Sequence, residues 1–434
     1  MNEGQPMKIQ AVRGTRDFYP EDMSLRQWLA ERWRAVSRRA GFVEVDGPVL
    51  EPLDLYTEKS GPEIAEQLYW LQDKGGRKLA LRPEFTPTLA RMIAARQASL
   101  PEPIRWFNIS RCFRYERAQK GRLREFFQWN VDLVGAEGEV ADTECIAVAV
   151  DSLRELGLGP EDVEFRISDR RLLGALVRHL GIAEANVPQV FQVLDKRDKV
   201  APEALEEMLA GAGLEASQRA GLERILAWGR LGDIDERERR TADVGAAVES
   251  LERLFDLLAA YDLAEWCRFD IGIVRGLAYY TGAVWEVHDR AGEFRAIFGG
   301  GRYDRLLADV GGKAMPACGF GCGDVILGLL LEARGLRPEV ESAAEYYVTT
   351  WRGEWAKVIK VVRHLRKRGK SAQIGLGIGS HKRDRKRGLA AGSRFVITVD
   401  DKDTQWPQVL VRDLQPEDAG CPTVVRFDYR ELGG

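Results

Sequence analysis

No apolar run in this 434-residue chain approaches the ~18 residues that a membrane-spanning helix needs; residues 325–331 make the best candidate, too short and preceded by Asp324. Residues 1–14 hold no apolar stretch of the kind a secretory leader requires. The six cysteines, Cys112, Cys145, Cys267, Cys318, Cys322 and Cys421, follow no framework spacing, which argues against a disulfide-stapled scaffold and for a reducing, cytoplasmic setting. Cys318 and Cys322 are half of a four-ligand zinc site at most, since no second pair follows. Neither sign of charge dominates: 64 Lys and Arg against 67 Asp and Glu leave −3, which excludes a globally basic nucleic-acid coat but not a basic patch. A Walker A loop is absent, and the glycine run 375–379 misses the dinucleotide fingerprint spacing, so a Rossmann site is set aside.

What remains is ordinary globular material, 45% hydrophobic and 30% charged, long enough for two or three domains. A helix is predicted over 25–39, with Leu25, Trp28, Leu29, Trp33 and Val36 on one face; Gly41 ends it and a strand follows over 42–45. Strands are predicted at 78–81, 104–109, 112–116 and 125–134, with a helix near 87–97 between them. The connection at 119–121 has no room for a crossover helix, so the sheet is expected to be mostly antiparallel. From 172 to 245 the composition shifts to Leu, Ala, Glu and Arg at helical spacing, which reads as an inserted helical module. Strand-like alternation returns from Cys267 to about Glu332, and a boundary falls at 335–342 around Pro338. The chain is therefore divided into a first core segment 1–171, a helical insertion 172–245, a second core segment 246–335 and a C-terminal α/β domain 343–434.

Five stretches carry chemistry. Over 111–128 two aromatic-rich strands flank an arginine-loaded turn; within 111–124 six cations face one anion, Glu116. Guanidinium forks bind phosphate oxygens and an aromatic stacks on a base, so this hairpin suits a polyphosphate, against the plain alternative of a solvated edge. In 274–282, Arg275 precedes the Tyr279–Tyr280 pair in apolar surroundings; buried arginine needs an anionic ligand or a core carboxylate such as Asp270. Glycines at 299–301, 319, 321 and 323 signal close backbone approach. In 82–86, Glu84 and Thr86 lie near the end of a strand, where the carboxylate can meet an ammonium group or hold a metal, with a helix N-cap at Thr86 as the plain alternative. Over 351–394, 14 Lys or Arg stand against Glu354 and Asp384, a local +12 that leaves the remainder at −15 and points to polyanion docking.

In this order the stretches resemble the histidyl-tRNA synthetases, a family of class II aminoacyl-tRNA synthetases. Residues 13–20 are similar to the family's opening signature, 47–52 around Pro48 to motif 1, 113–128 to motif 2, 275–282 to the histidine signature, and 299–304 to the strand leading into motif 3. The resemblance implies an α+β catalytic core, a mostly antiparallel sheet flanked by helices, with a helical insertion and a C-terminal anticodon-binding domain. It implies activation of L-histidine by ATP with Mg2+, transfer to the 3′ end of tRNA-His, and a homodimer formed through motif 1. By family position Arg114 and Arg275 hold the α-phosphate from opposite sides, Phe126 stacks on adenine and Glu116 meets its amine. Glu84, Thr86, Gln128 and Asp132 surround the histidine, and Tyr279 and Tyr280 close its side-chain pocket. Asp132 stands where the family has Glu, Ala278 where an acid is common, and Val325 where motif 3 has an arginine over adenine and the γ-phosphate; Arg302 is the candidate to supply that charge. Two rival readings stay open: a regulatory subunit of ATP phosphoribosyltransferase, disfavoured by the basic C-terminal domain, and a tRNA-sensing module without catalysis, favoured by Val325.

Overall fold

The structure, a computed structural model, describes residues 9–57, 66–197, 200–338, 344–400, 405–414 and 424–433. Cys421 and part of the boundary expected at 335–342 lie outside these residues. The chain divides into two compact units, Met1–Pro338 and Glu339–Gly434.

The first helix, Pro20–Arg39, begins five residues before the predicted start, because Pro20 occupies the first helical position and Glu21 and Asp22 complement the N-terminal dipole. Its Leu29, Trp33 and Val36 are buried, and Trp33 stacks on Trp129 with centroids 5.8 Å apart. The unit's strands are β1 (Val43–Glu44), β2 (Leu50–Pro52), β3 (Trp70–Gln72), β4 (Lys78–Leu81), β5 (Ile104–Phe113), β6 (Glu125–Val134), β7 (Val163–Asp169), β8 (Cys267–Phe269), β9 (Ala283–Asp289), β10 (Phe298–Arg302) and β11 (Ala317–Gly323). The two strands predicted over 104–116 are one, β5, and the chain leaves it at Phe113 for an open hairpin. An eight-stranded sheet runs β1-β5-β6-β11-β10-β9-β7-β8, and β2-β4-β3 form a small antiparallel sheet. Only the outer pairs β1–β5 and β7–β8 are parallel, so the sheet is mostly antiparallel as expected.

Helix Glu139–Glu155 was not predicted: its middle, from Cys145 to Val150, is apolar and buried on every side, and so shows no amphipathic stripe. It packs on the first helix and on Ala242–Ala260. Helices Arg170–His179, Val187–Leu194, Pro202–Gly211 and Ala216–Leu226 fill the stretch read as an insertion. The last long helix, Ala242–Ala260, runs past 245 and buries Val244, Val248, Leu251 and Leu254.

The second unit is a five-stranded sheet of β12 (Tyr346–Thr349), β13 (Ala372–Ile374), β14 (Phe395–Thr398), β15 (Gln408–Asp413) and β16 (Val424–Asp428), ordered β13-β12-β14-β15-β16. Its own core gathers Val348, Val361, Leu365, Ile397 and Val409 around helix Trp355–Lys367. No helix among the described residues is long and apolar enough to cross a membrane.

Candidate active site

Side chains alternate across a strand, so Phe126, Gln128, Asn130 and Asp132 share one face of β6. Register sets the rest of that face. Asn130 lies opposite Gly321 of β11, Gly321 opposite Gly299 of β10, and Gly299 opposite Glu286 of β9. All of these but Asp132 floor a cavity of about 650 Å³. The glycines make its depth. A Cβ at Gly321 would stand 1.8 Å from Gln128 Nε2, and one at Gly299 would stand 2.9 Å from the Arg275 guanidinium, so side chains there would expel both groups.

One wall is the loop that leads from β4 into helix Thr86–Ala94. Arg82 pins it by donating to the carbonyls of Arg111 and Gly47 and to Asp46. Glu84 thereby faces Tyr279, whose hydroxyl donates to Oε2 at 2.9 Å. Thr86 is the first helical residue rather than the N-cap; that place is Phe85, which makes no side-chain cap, so the expected capping role falls away while Thr86 lines the cavity. Tyr279 and Tyr280 lie 5.0 Å apart, and Tyr303 meets Tyr279 edge-on at 5.8 Å.

The opposite wall holds Arg275. Its φ is +57°, a left-handed conformation that costs a non-glycine residue energy and clusters at functional sites. The guanidinium is held not by Asp270 but by Glu286, Nη1 to Oε1 at 2.5 Å; Asp270 pairs with Arg197. Burial disfavours the Glu286 carboxylate, yet Arg275 and then His288 outweigh it and bring its pKa down to about 2. Nε of Arg275, Oε1 of Gln128 and Oδ1 of Asn130 are buried with no protein partner. Such groups are costly unless a ligand satisfies them.

The hairpin between β5 and β6 forms the outer rim. Arg114 donates Nε–H to the Pro83 carbonyl at 3.0 Å and lies 5.2 Å from the Phe126 ring centroid. Glu116 pairs with Arg122 at 2.6 Å. Arg114, Arg275, Glu84, Gln128, Phe126 and the Tyr279–Tyr280 pair, drawn from segments up to two hundred residues apart, thus share one cavity.

A histidyl-tRNA synthetase family model matches residues 14–323. The chain belongs to the histidyl-tRNA synthetase family. It is 44% identical over 345 residues to the histidine–tRNA ligase of Opitutus terrae, covering 78% of each chain. It is 39% identical over 407 residues to the chloroplastic/mitochondrial histidine–tRNA ligase of Arabidopsis thaliana, covering 94% of this chain and 83% of the relative. The fold matches the histidyl-tRNA synthetase structure from Nostoc with a TM-score of 0.79, over 96% of this chain and 97% of that one at 22% identity.

Two expectations drawn from the family pattern need correction. Arg302 does not line the cavity. It is buried on the far side of its strand, where Asp142 takes Nε and Nη2 at 3.1 Å and Asp304 takes Nη1 at 3.1 Å, so it cannot replace the missing motif 3 arginine. Asp132 stands one layer behind the wall, its Oδ1 accepting from the Tyr303 hydroxyl. The family's opening signature has a structural task here: Arg16 reaches Asp324 at 2.7 Å, and Asp324 also accepts the Phe127 backbone N–H at 2.9 Å, which ties the opening segment to motifs 2 and 3. Sequence reasoning missed Asn130 and Glu286 on the floor, and Asp195, Arg197 and Arg295 on the walls. Asn130 was legible from the two-residue alternation between Gln128 and Asp132; the others had no local signal.

Burial raises the Asp132 carboxyl to about 7, and the Tyr303 hydrogen bond offsets only part of that. In the unfolded chain it titrates at about 4. Between about pH 4 and 7 the fold holds a proton that the unfolded chain releases, so native stability falls as pH rises through that window. Asp132→Asn, which stays neutral and can still accept from Tyr303, should therefore melt progressively higher than the unaltered protein from pH 5 to pH 8. Equal differences in Tm at both ends would exclude a protonated carboxyl at this position.

Proposed function

We propose that this histidine–tRNA ligase activates L-histidine and transfers it to tRNA-His within the cavity described above. A histidine carboxylate oxygen attacks the α-phosphorus of ATP, pyrophosphate leaves, and a 3′-terminal ribose hydroxyl of the tRNA then displaces AMP from the acyl carbon. No protein nucleophile is needed; positioning and charge stabilisation carry the first step. That Arg114 and Arg275, 161 residues apart in the chain, line one cavity is the observation that carries this reading; their proposed task is to meet the charge that develops on the α-phosphate. Phe126 stacks on adenine and Glu116, braced by Arg122, takes its amine. Glu84, Thr86 and Gln128 receive the ammonium end of the amino acid, and Asp132 acts through the Tyr303 hydroxyl. Tyr279 and Tyr280 close on the imidazole, whose one donor and one acceptor let a polar slot reject apolar isosteres.

Mg2+ would arrive on the triphosphate, where it would draw charge from the phosphate oxygens. This ion binds through one or two carboxylates plus phosphates, and among the described residues no three His, Cys, Asp or Glu side chains gather into a metal site. Exposed Val43, Val49, Leu50, Trp70 and Leu71 on β1, the small sheet and their connection supply an apolar face around motif 1 for a two-fold dimer. The unpaired cysteines among the described residues suit a reducing cytoplasm.

ATP–pyrophosphate exchange with the purified protein, run against all twenty amino acids, tests the reading. Exchange dependent on histidine alone is expected; no exchange with any amino acid would favour a tRNA-sensing or regulatory protein.

A further inference from the structure

With Arg302 locked to Asp142, the cation that the family pattern places at the position of Val325 is not supplied by Arg302. The cavity supplies another. Arg295, in the connection from β9 to β10, crosses to the hairpin and donates Nη2–H to the Gly121 carbonyl at 2.6 Å. The same hairpin tip is closed from below by the residues around Val325: a Cβ at Gly121 would stand 3.4 Å from the Ile326 side chain, and Val325, Ile326 and Arg295 all line the cavity. Burial lowers the Arg295 pKa, and repulsion from Arg122 and Arg114 lowers it further against the opposing pull of Glu116. Arg114, Arg122 and Arg295 all line the cavity and repel one another, and Glu116, the carboxylate whose attraction Arg295 feels, is engaged by Arg122. Holding like charges together is unfavourable unless an anion joins them, and a polyphosphate is the anion that three forks fit.

We propose that Arg295 binds the terminal phosphates of the nucleoside triphosphate, and the pyrophosphate released from it, in place of the arginine that Val325 displaces. This rests on the reading that the cavity takes ATP. Arg114 remains at the α-phosphate beside Phe126, while Arg122 and Arg295 hold the β- and γ-phosphates at the hairpin tip. The hydrogen bond from Arg295 to Gly121 gives the plain alternative: the arginine only braces the hairpin.

Arg295→Ala and Arg295→Lys, measured in histidine-dependent ATP–pyrophosphate exchange, separate the two. Loss of one charge-assisted hydrogen bond should raise KM for ATP and for pyrophosphate by about ten- to hundredfold, leave KM for histidine unchanged, and be partly restored by lysine. A non-hydrolysable histidyl-adenylate analogue carries no β- or γ-phosphate, so its Kd should be the same for Arg295→Ala and the unaltered protein. An analogue Kd that weakens in parallel with ATP would mean a brace and overturn the proposal, as would an unchanged KM for ATP. No histidine-dependent exchange by the unaltered protein would overturn the functional reading and this proposal with it. Normal exchange by an alanine variant whose ATP and pyrophosphate constants do not move would overturn the role of Arg295 alone.

Discussion

Arg275→Ala should slow histidine-dependent ATP–pyrophosphate exchange by about 10²–10³-fold, the loss expected when a group that stabilises developing transition-state charge is removed. The fall should appear in kcat more than in KM for ATP, because the role proposed for Arg275 is to meet charge that grows during attack on the α-phosphorus rather than charge already present. The local structure commits the chain to this residue. It holds a left-handed φ beside the Glu286 contact, it lines the cavity, and its Nε is buried without a protein partner. Truncation also leaves Glu286, largely buried, without its guanidinium partner and with only the His288 imidazole beside it at 3.2 Å, so the single variant should lose stability as well. Adding Glu286→Gln removes that orphan charge. The double variant should therefore regain thermal stability without regaining exchange, which separates a catalytic role from a structural one. Exchange within a few-fold of the unaltered protein would refute the role assigned to Arg275.

How much of this was readable in advance follows from the range over which each signal acts. Strand β6 matched its predicted bounds of 125–134 because alternation and turn residues are local. The antiparallel pairing of β5 and β6 followed from the short connection at 119–121. The partner of Arg275 was not local: Asp270 and Glu286 are both close in sequence, and only the register of β9 against β10 puts Glu286 under the guanidinium. Arg302 failed as a site residue for the same reason. It sits at the end of the glycine strand, three residues beyond Gly299 on the cavity floor, and its side chain turns to Asp142 on the helix behind the sheet. Arg295 and Arg197 come from irregular connections, where no periodicity announces which way a side chain points.

Removing the second unit should separate the two halves of the reaction. Residues 1–338 contain the entire cavity and its floor, so exchange should stay within about threefold, whereas charging of tRNA-His should fall by about a hundredfold or more, as the loss of several phosphate contacts predicts. The charge of this unit is arranged for such contacts. Helix Trp355–Lys367 buries Val358, Val361, Val362 and Leu365 and leaves Lys360, Arg363, Arg366 and Lys367 in water. Helix His381–Ala390 exposes Lys382, Arg383, Arg385 and Lys386, while its one acid, Asp384, is buried and accepts the Trp351 indole N–H at 2.7 Å. Turning that carboxylate inward leaves the outer faces almost purely cationic, an arrangement that helps nothing in folding and favours a polyanion. Screening by salt should accordingly raise KM for tRNA steeply in the intact protein and leave exchange little changed, since log affinity falls by about 0.7 to 0.9 per phosphate contact for each tenfold rise in salt. If residues 1–338 charged tRNA as well as the whole chain does, the basic unit would have to serve something other than tRNA.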